Sequence, residues 1–126
     1  MPQFRRVKRI KKTFTFVWND LVESQASLME GVIHQIHFRV PTTVNNVTAT
    51  LTLEDEDGYE VYNSGAKADA TNYNIIPPLS NGAKQIISGN FTMKVTLSGA
   101  HGVIGPPATP DIDVIAVIYL DGMTGT

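Results

Sequence analysis

Cysteine is absent from the 126 residues, which excludes disulfides, thiolate metal sites and thiol nucleophiles. Stability must therefore come from burial, strand pairing or neighbouring subunits. Long apolar runs are missing as well. No segment approaches the roughly 20 apolar residues of a membrane span, so no membrane partner is expected. The apolar run nearest the N-terminus, Thr13 to Trp18, stops at Asn19-Asp20 without a small-residue cleavage site. A soluble product made in a cytoplasm is expected. Catalytic signatures are equally scarce: there is no Gly-x-Ser-x-Gly elbow, no phosphate-binding glycine motif, and three histidines in all. The chain is expected to be neither an enzyme nor the carrier of a cofactor.

Acidic residues are missing from the first twelve positions, and basic ones crowd there. Arg5, Arg6, Lys8, Arg9, Lys11 and Lys12 are six of the ten cations in the chain. Residues 13–126 carry four cations against twelve acids, a net charge of −8 behind an overall −2. A cationic leader on an acidic body suits contact with an anionic partner. The division read from this is a basic N-terminal arm over 1–12 and one domain over 13–126, a length that suits a single core. Phe4, Val7 and Ile10, three residues apart, would form one side of an amphipathic helical turn on a partner.

Strand patterns fill the rest. Val47 to Tyr62 reads as a hairpin around which the chain is organised. Val47, Ala49, Leu51 and Leu53 alternate with threonines, and Asp57-Gly58 supplies the reversal. Thr13 to Trp18 is a first strand with Phe14, Phe16 and Trp18 on one face, and Asn19 to Glu30 reads as an irregular loop. Gly31 to Val40 is a second strand whose strict alternation sends His34 inward and His37 to the opposite face. Asn63 to Asn74 reads as a loop, Ile75 to Pro78 as extended, Leu79 to Lys84 as a turn at Asn81-Gly82, and Gln85 to Ile87 as a short edge strand. Ser88-Gly89-Asn90 reads as a turn before the cleanest strand, Phe91 to Leu97. Gly99 to Pro110 is a loop, and Ile112 to Leu120, apolar on both parities, should be central. Asp121 to Thr126 reads as a small polar tail. Six to eight short strands without a long helix predict an all-β fold, an antiparallel β-sandwich or jelly-roll-like domain.

The remaining candidates for chemistry are few. Glu54-Asp55-Glu56-Asp57 is the densest acidic cluster, but it lacks the spacing of a calcium loop and reads better as a solvated hairpin tip. Asp111 and Asp113 are too loosely placed to complete a site, and no metal site is assigned. His101, in a Gly-Ala-His-Gly loop, reads as an incidental or interface residue. Asn46-Val47-Thr48 and Asn90-Phe91-Thr92 match the glycosylation triplet but, without a secretion signal, are expected to be unused. Trp18, Tyr59, Tyr62 and Tyr73 are the candidate stacking platforms if the sandwich is a carbohydrate-binding module.

Residues 31 to 121 resemble the small β-sandwich virion proteins of tailed bacteriophages that decorate or cement capsids. The resemblance is carried by Gly31-Val32-Ile33, by Val47 to Leu53, and by Asp57-Gly58-Tyr59 with Val61-Tyr62. Ser64-Gly65-Ala66 and Thr92 to Gly99 complete it. It implies a non-enzymatic structural subunit of a virion, oligomeric and bound to the major capsid protein or other virion proteins. The basic arm lies outside the resemblance. From its charge, Arg5, Arg6, Lys8, Arg9, Lys11 and Lys12 are expected to anchor the subunit to a partner, either protein or nucleic acid. A portal, neck or tail subunit whose arm touches DNA is the alternative within the same setting.

Overall fold

A computed structural model of the chain describes residues 5–76 and 86–123. Seven strands follow in order: β1 (Arg5–Phe16), β2 (Val22–Val40), β3 (Ala49–Glu54), β4 (Glu60–Asn63), β5 (Thr71–Ile75), β6 (Ile86–Leu97) and β7 (Ile112–Met123). Every pairing is antiparallel, in the order β1-β7-β2-β6-β3-β4, with β5 also on β2. No helix occurs among the described residues.

The organising element is β2, 19 residues long, rather than the hairpin. Its first part, Val22 to Val32, pairs with β6. Its second part pairs with β7 on one edge (Val32 to Arg39) and with β5 on the other (Ile36 to Val40). One strand thus belongs to two half-sheets, β4-β3-β6-β2 and β1-β7-β2-β5. Their inward side chains form a single core, which makes the fold an antiparallel β-sandwich of jelly-roll-like character. The strand passes from one half-sheet to the other at Gly31, where φ is +132° and a Cβ would lie 2.8 Å from the carbonyl oxygen of Asp121. Only glycine meets both demands.

Alternating patterns account for the core. On β3, Ala49, Leu51 and Leu53 are buried and the threonines between them are half-exposed. On β6, Phe91, Met93, Val95 and Leu97 do the same. Val114, Ala116, Ile118 and Leu120 of β7 line one inner face together with Phe14 and Phe16 of β1 and Phe38 of β2, the strands on either side of β7. Burying each large side chain contributes about 1.5–3 kcal/mol, which must carry a fold that has no covalent crosslink.

Several local expectations are corrected. Val22 to Glu30 is strand, not an irregular loop. Its Val22, Ser24, Ala26 and Leu28 are exposed and Glu23, Gln25 and Ser27 half-buried, so no apolar period marks it. Thr71 to Asn74 is likewise strand, held by pairing to β2. Ser88-Gly89-Asn90 lies within β6, where Gly89, at φ +118°, sits opposite Met29 without reversing the chain. Asp121 to Met123 extends β7 instead of starting a tail, because Val7, Arg6 and Arg5 pair with them. Val7 and Ile10 belong to an extended strand, not to a helical turn; Phe4 lies outside the described residues. So do Pro77-Pro78, the turn expected over Leu79 to Lys84, Gln85, and residues 124–126.

Candidate functional site

The basic segment is the front of β1. Arg5 to Lys12 pair one to one with Met123 to Ala116 of β7, and the same strand runs on through Phe14 and Phe16. Strand alternation divides its cations between two faces. Lys8 and Lys12 share the parity of the buried Ile10, while Arg9 and Lys11 share that of the exposed Val7. β1 has one neighbour in the strand order and forms an edge of the sheet.

The outer face of the β1-β7-β2-β5 half-sheet gathers most of the polar side chains of interest. Here the strict alternation read for β2 fails. A β-bulge between Ile33 and Gln35 resets the parity, so Ile33 is buried and His34 is exposed. His34 is therefore not the inward histidine the pattern predicts. Its Nδ1 lies 3.3 Å from Asp121 Oδ2, on the same outer face as His37. The His37 ring meets Tyr119 edge-on, with centroids 5.1 Å apart, and its Nε2 lies 2.6 Å from Gln35 Nε2. Gln35 Nε2 also donates to Asn74 Oδ1 on β5 at 2.7 Å. Beside this chain of contacts lies a cleft of about 400 Å³. Val117, 5% exposed, and Ile115 form its apolar floor, and Arg9, Lys11 and Arg39 stand over it.

The acidic tip is built into its turn. Asp55 Oδ1 accepts the backbone N–H groups of Asp57 (3.0 Å) and Tyr59 (2.9 Å), and Gly58, at φ +80°, closes the reversal. Lys94 Nζ lies 3.1 Å from Glu54, and Glu56 Oε1 accepts the Asn90 N–H at 3.2 Å. Asp113 accepts from the Thr15 hydroxyl at 2.7 Å. Among the described residues no three His, Asp or Glu side chains converge as a metal centre.

His101 departs from the reading of an incidental loop residue. It is fully buried, with Nε2 3.0 Å from the Phe16 carbonyl oxygen, and Nδ1 has no partner. Its loop is tied down around it: Asn45 Nδ2 donates to the Ala100 and Gly102 carbonyls at 2.9 Å each, and Gly102 N–H donates to Trp18. The opposite connection is held by Asp69, whose Oδ2 accepts the Thr43 N–H (2.9 Å) and hydroxyl (2.7 Å). These bonds hold the Asp69 carboxyl below its ordinary value of 3.8.

The four aromatic candidates do not assemble. Tyr59 is 71% exposed at the hairpin turn, while Tyr62 is half-buried against the core, where loss of solvent raises its pKa. Tyr73 donates its hydroxyl to the Ala68 carbonyl, and Lys67 Nζ lies 5.5 Å above its ring. Trp18 is half-buried beside the His101 loop. The cleft on the outer face escaped sequence reasoning because it joins residues from four strands, two of them read as other structure. Its one legible signal was Arg39 among apolar neighbours.

No protein-family model matches the chain, and no curated protein matches it either. Among solved structures it is similar to the infectious bursal disease virus VP2 subviral particle. The identity is 16% over 94% of this chain and 33% of that one, at a TM-score of 0.46. The T13 particle of the same virus is similar at 16% identity over 90% and 31% of the two chains, with a TM-score of 0.47. The Gt strain structure is similar at 15% identity over 92% and 32%, with a TM-score of 0.44. The chain spans about a third of the length of these chains.

Proposed function

We propose that this chain is a structural subunit of a virion: a decoration or cement subunit that docks on the major capsid lattice through its basic N-terminal strand and loops. One observation carries the reading. The most basic stretch of the chain is a twelve-residue edge strand, with Val7, Lys8, Arg9 and Lys11 exposed along it. A long edge of this kind is a template for strand addition by a neighbour. Its charges oppose simple self-pairing and favour an anionic partner surface. The acidic remainder of the chain supplies such a surface on further copies, which supports association between subunits. Of the three histidines, His34 and His37 are engaged at the surface and His101 is packed against β1, an arrangement that supports a binding role over a catalytic one.

The test replaces Arg5, Arg6, Lys8, Arg9, Lys11 and Lys12 with serine. The variant is expected to remain folded and to be lost from purified icosahedral particles, measured as copies per particle. Undiminished incorporation would overturn the docking role.

A further inference from the structure

The outer-face cleft collects cations that nothing nearby neutralises. Lys94 is committed to Glu54, and Lys67 lies over Tyr73. Arg9, Lys11 and Arg39 have no acidic partner among the described residues, and Arg9 makes a single 3.4 Å contact with the Tyr119 hydroxyl. No carboxylate lines the cleft. The acids on this face are engaged elsewhere, Asp113 with Thr15 and Asp121 with His34. Asn72 and Asn74, both exposed at the rim, offer amide donors and acceptors.

From this juxtaposition we infer that the cleft binds a saccharide carrying sulfate or carboxylate groups. Each component has its counterpart. Two guanidinium forks and an ammonium match acidic oxygens through charge-assisted hydrogen bonds. The asparagine amides suit hydroxyl groups, which both donate and accept. The Val117–Ile115 floor receives the apolar face of a sugar ring, and about 400 Å³ accommodates a short oligosaccharide. Base stacking fits less well. The nearby rings are already used, Tyr73 beneath Lys67 and Tyr119 against His37, so a nucleic-acid strand would find phosphate contacts but no platform.

This site shares Arg9 and Lys11 with the proposed docking segment, but Arg39 is not among the six basic residues of that segment and so tests the cleft separately. The experiment titrates the full chain with a heparin-derived sulfated tetrasaccharide at low ionic strength, followed by calorimetry. Maltotetraose and a short oligothymidylate of matched charge serve as comparisons. Binding of the sulfated sugar is expected, maltotetraose should not bind, and the oligothymidylate should bind at least about tenfold more weakly. Arg39→Gln and Lys11→Gln should each weaken the sulfated sugar by about tenfold or more. Lys94→Gln, on the other half-sheet, should leave it unchanged. All three positions are on the surface, and an unaltered thermal midpoint would show that the fold persists. Absent binding, binding indifferent to Arg39→Gln, or equal affinity for the oligothymidylate would overturn the assignment. Arg39→Gln should also enter particles normally, so failure here and failure of the docking role are separately visible.

Discussion

Single residues decide where this chain bends. Gly31 lets β2 serve two half-sheets, and its position combines a left-handed φ with a backbone carbonyl where a side chain would stand. Gly31→Ala is expected to cost at least about 2 kcal/mol, since a strained φ alone costs about 1–3. Urea denaturation would measure it, and a change below about 0.5 kcal/mol would mean that the bend adapts easily. Asp69 gives a second prediction at this scale. Its carboxyl titrates below 3.8 in the fold because Thr43 donates two hydrogen bonds to the charged form. A depressed carboxylate stabilises the fold above its unfolded pKa, and that contribution is lost as pH falls through the lower folded value. Protection of the Thr43 amide, measured against its intrinsic exchange rate at each pH, should fall as the solution is taken below pH 3.8. Asp69→Asn should abolish that dependence while leaving the cleft untouched.

Among the elements, β1 joins two features that the sequence suggests are separate, a run of basic residues and a strand that packs into the core. Its first eight residues are the basic segment, yet the same residues cover the edge of β7, and Ile10 among them is 8% exposed. Deleting residues 1–12 is therefore expected to differ from neutralising them. Deletion uncovers β7 from Ala116 to Met123 and removes Ile10 from the core, costing more than about 2 kcal/mol. The six-serine variant should unfold near the wild-type midpoint. Equal midpoints for the deletion and the wild type, by thermal unfolding, would make the segment dispensable for the fold. The hairpin has the reverse relation to the sequence. Its alternation and Asp57-Gly58 reversal are as expected, but β4 is a four-residue edge strand, and the chain is arranged around β2 instead.

At the scale of the whole molecule, the first and last of the seven strands pair with each other. Arg5 pairs with Met123 and Phe16 with Ile112, so the outermost half-sheet forms only when distant segments meet. Pairings this far apart in the chain delay folding, because loop closure precedes the contacts that reward it. Refolding by stopped-flow fluorescence of Trp18 should take milliseconds to seconds. The single shared core predicts one cooperative equilibrium transition. Two resolved transitions would show that the half-sheets are independent units.

Composition and alternation determined the all-β class, the core residues of β3 and β6, the hairpin turn, and the concentration of positive charge at the start of the chain. These follow from local rules: period-two patterning, turn chemistry and charge along the sequence. Tertiary structure alone decided that Val22 to Glu30 is strand, since its stability comes from pairing with β6 rather than from an apolar face of its own. It also decided that His34 faces outward, since the bulge between Ile33 and Gln35 breaks the alternation there while Ile36, Phe38 and Val40 beyond it stay buried. The cationic cleft belongs to the same class. Lys11 and Arg39 are far apart in the chain and become neighbours only because β7 lies between β1 and β2.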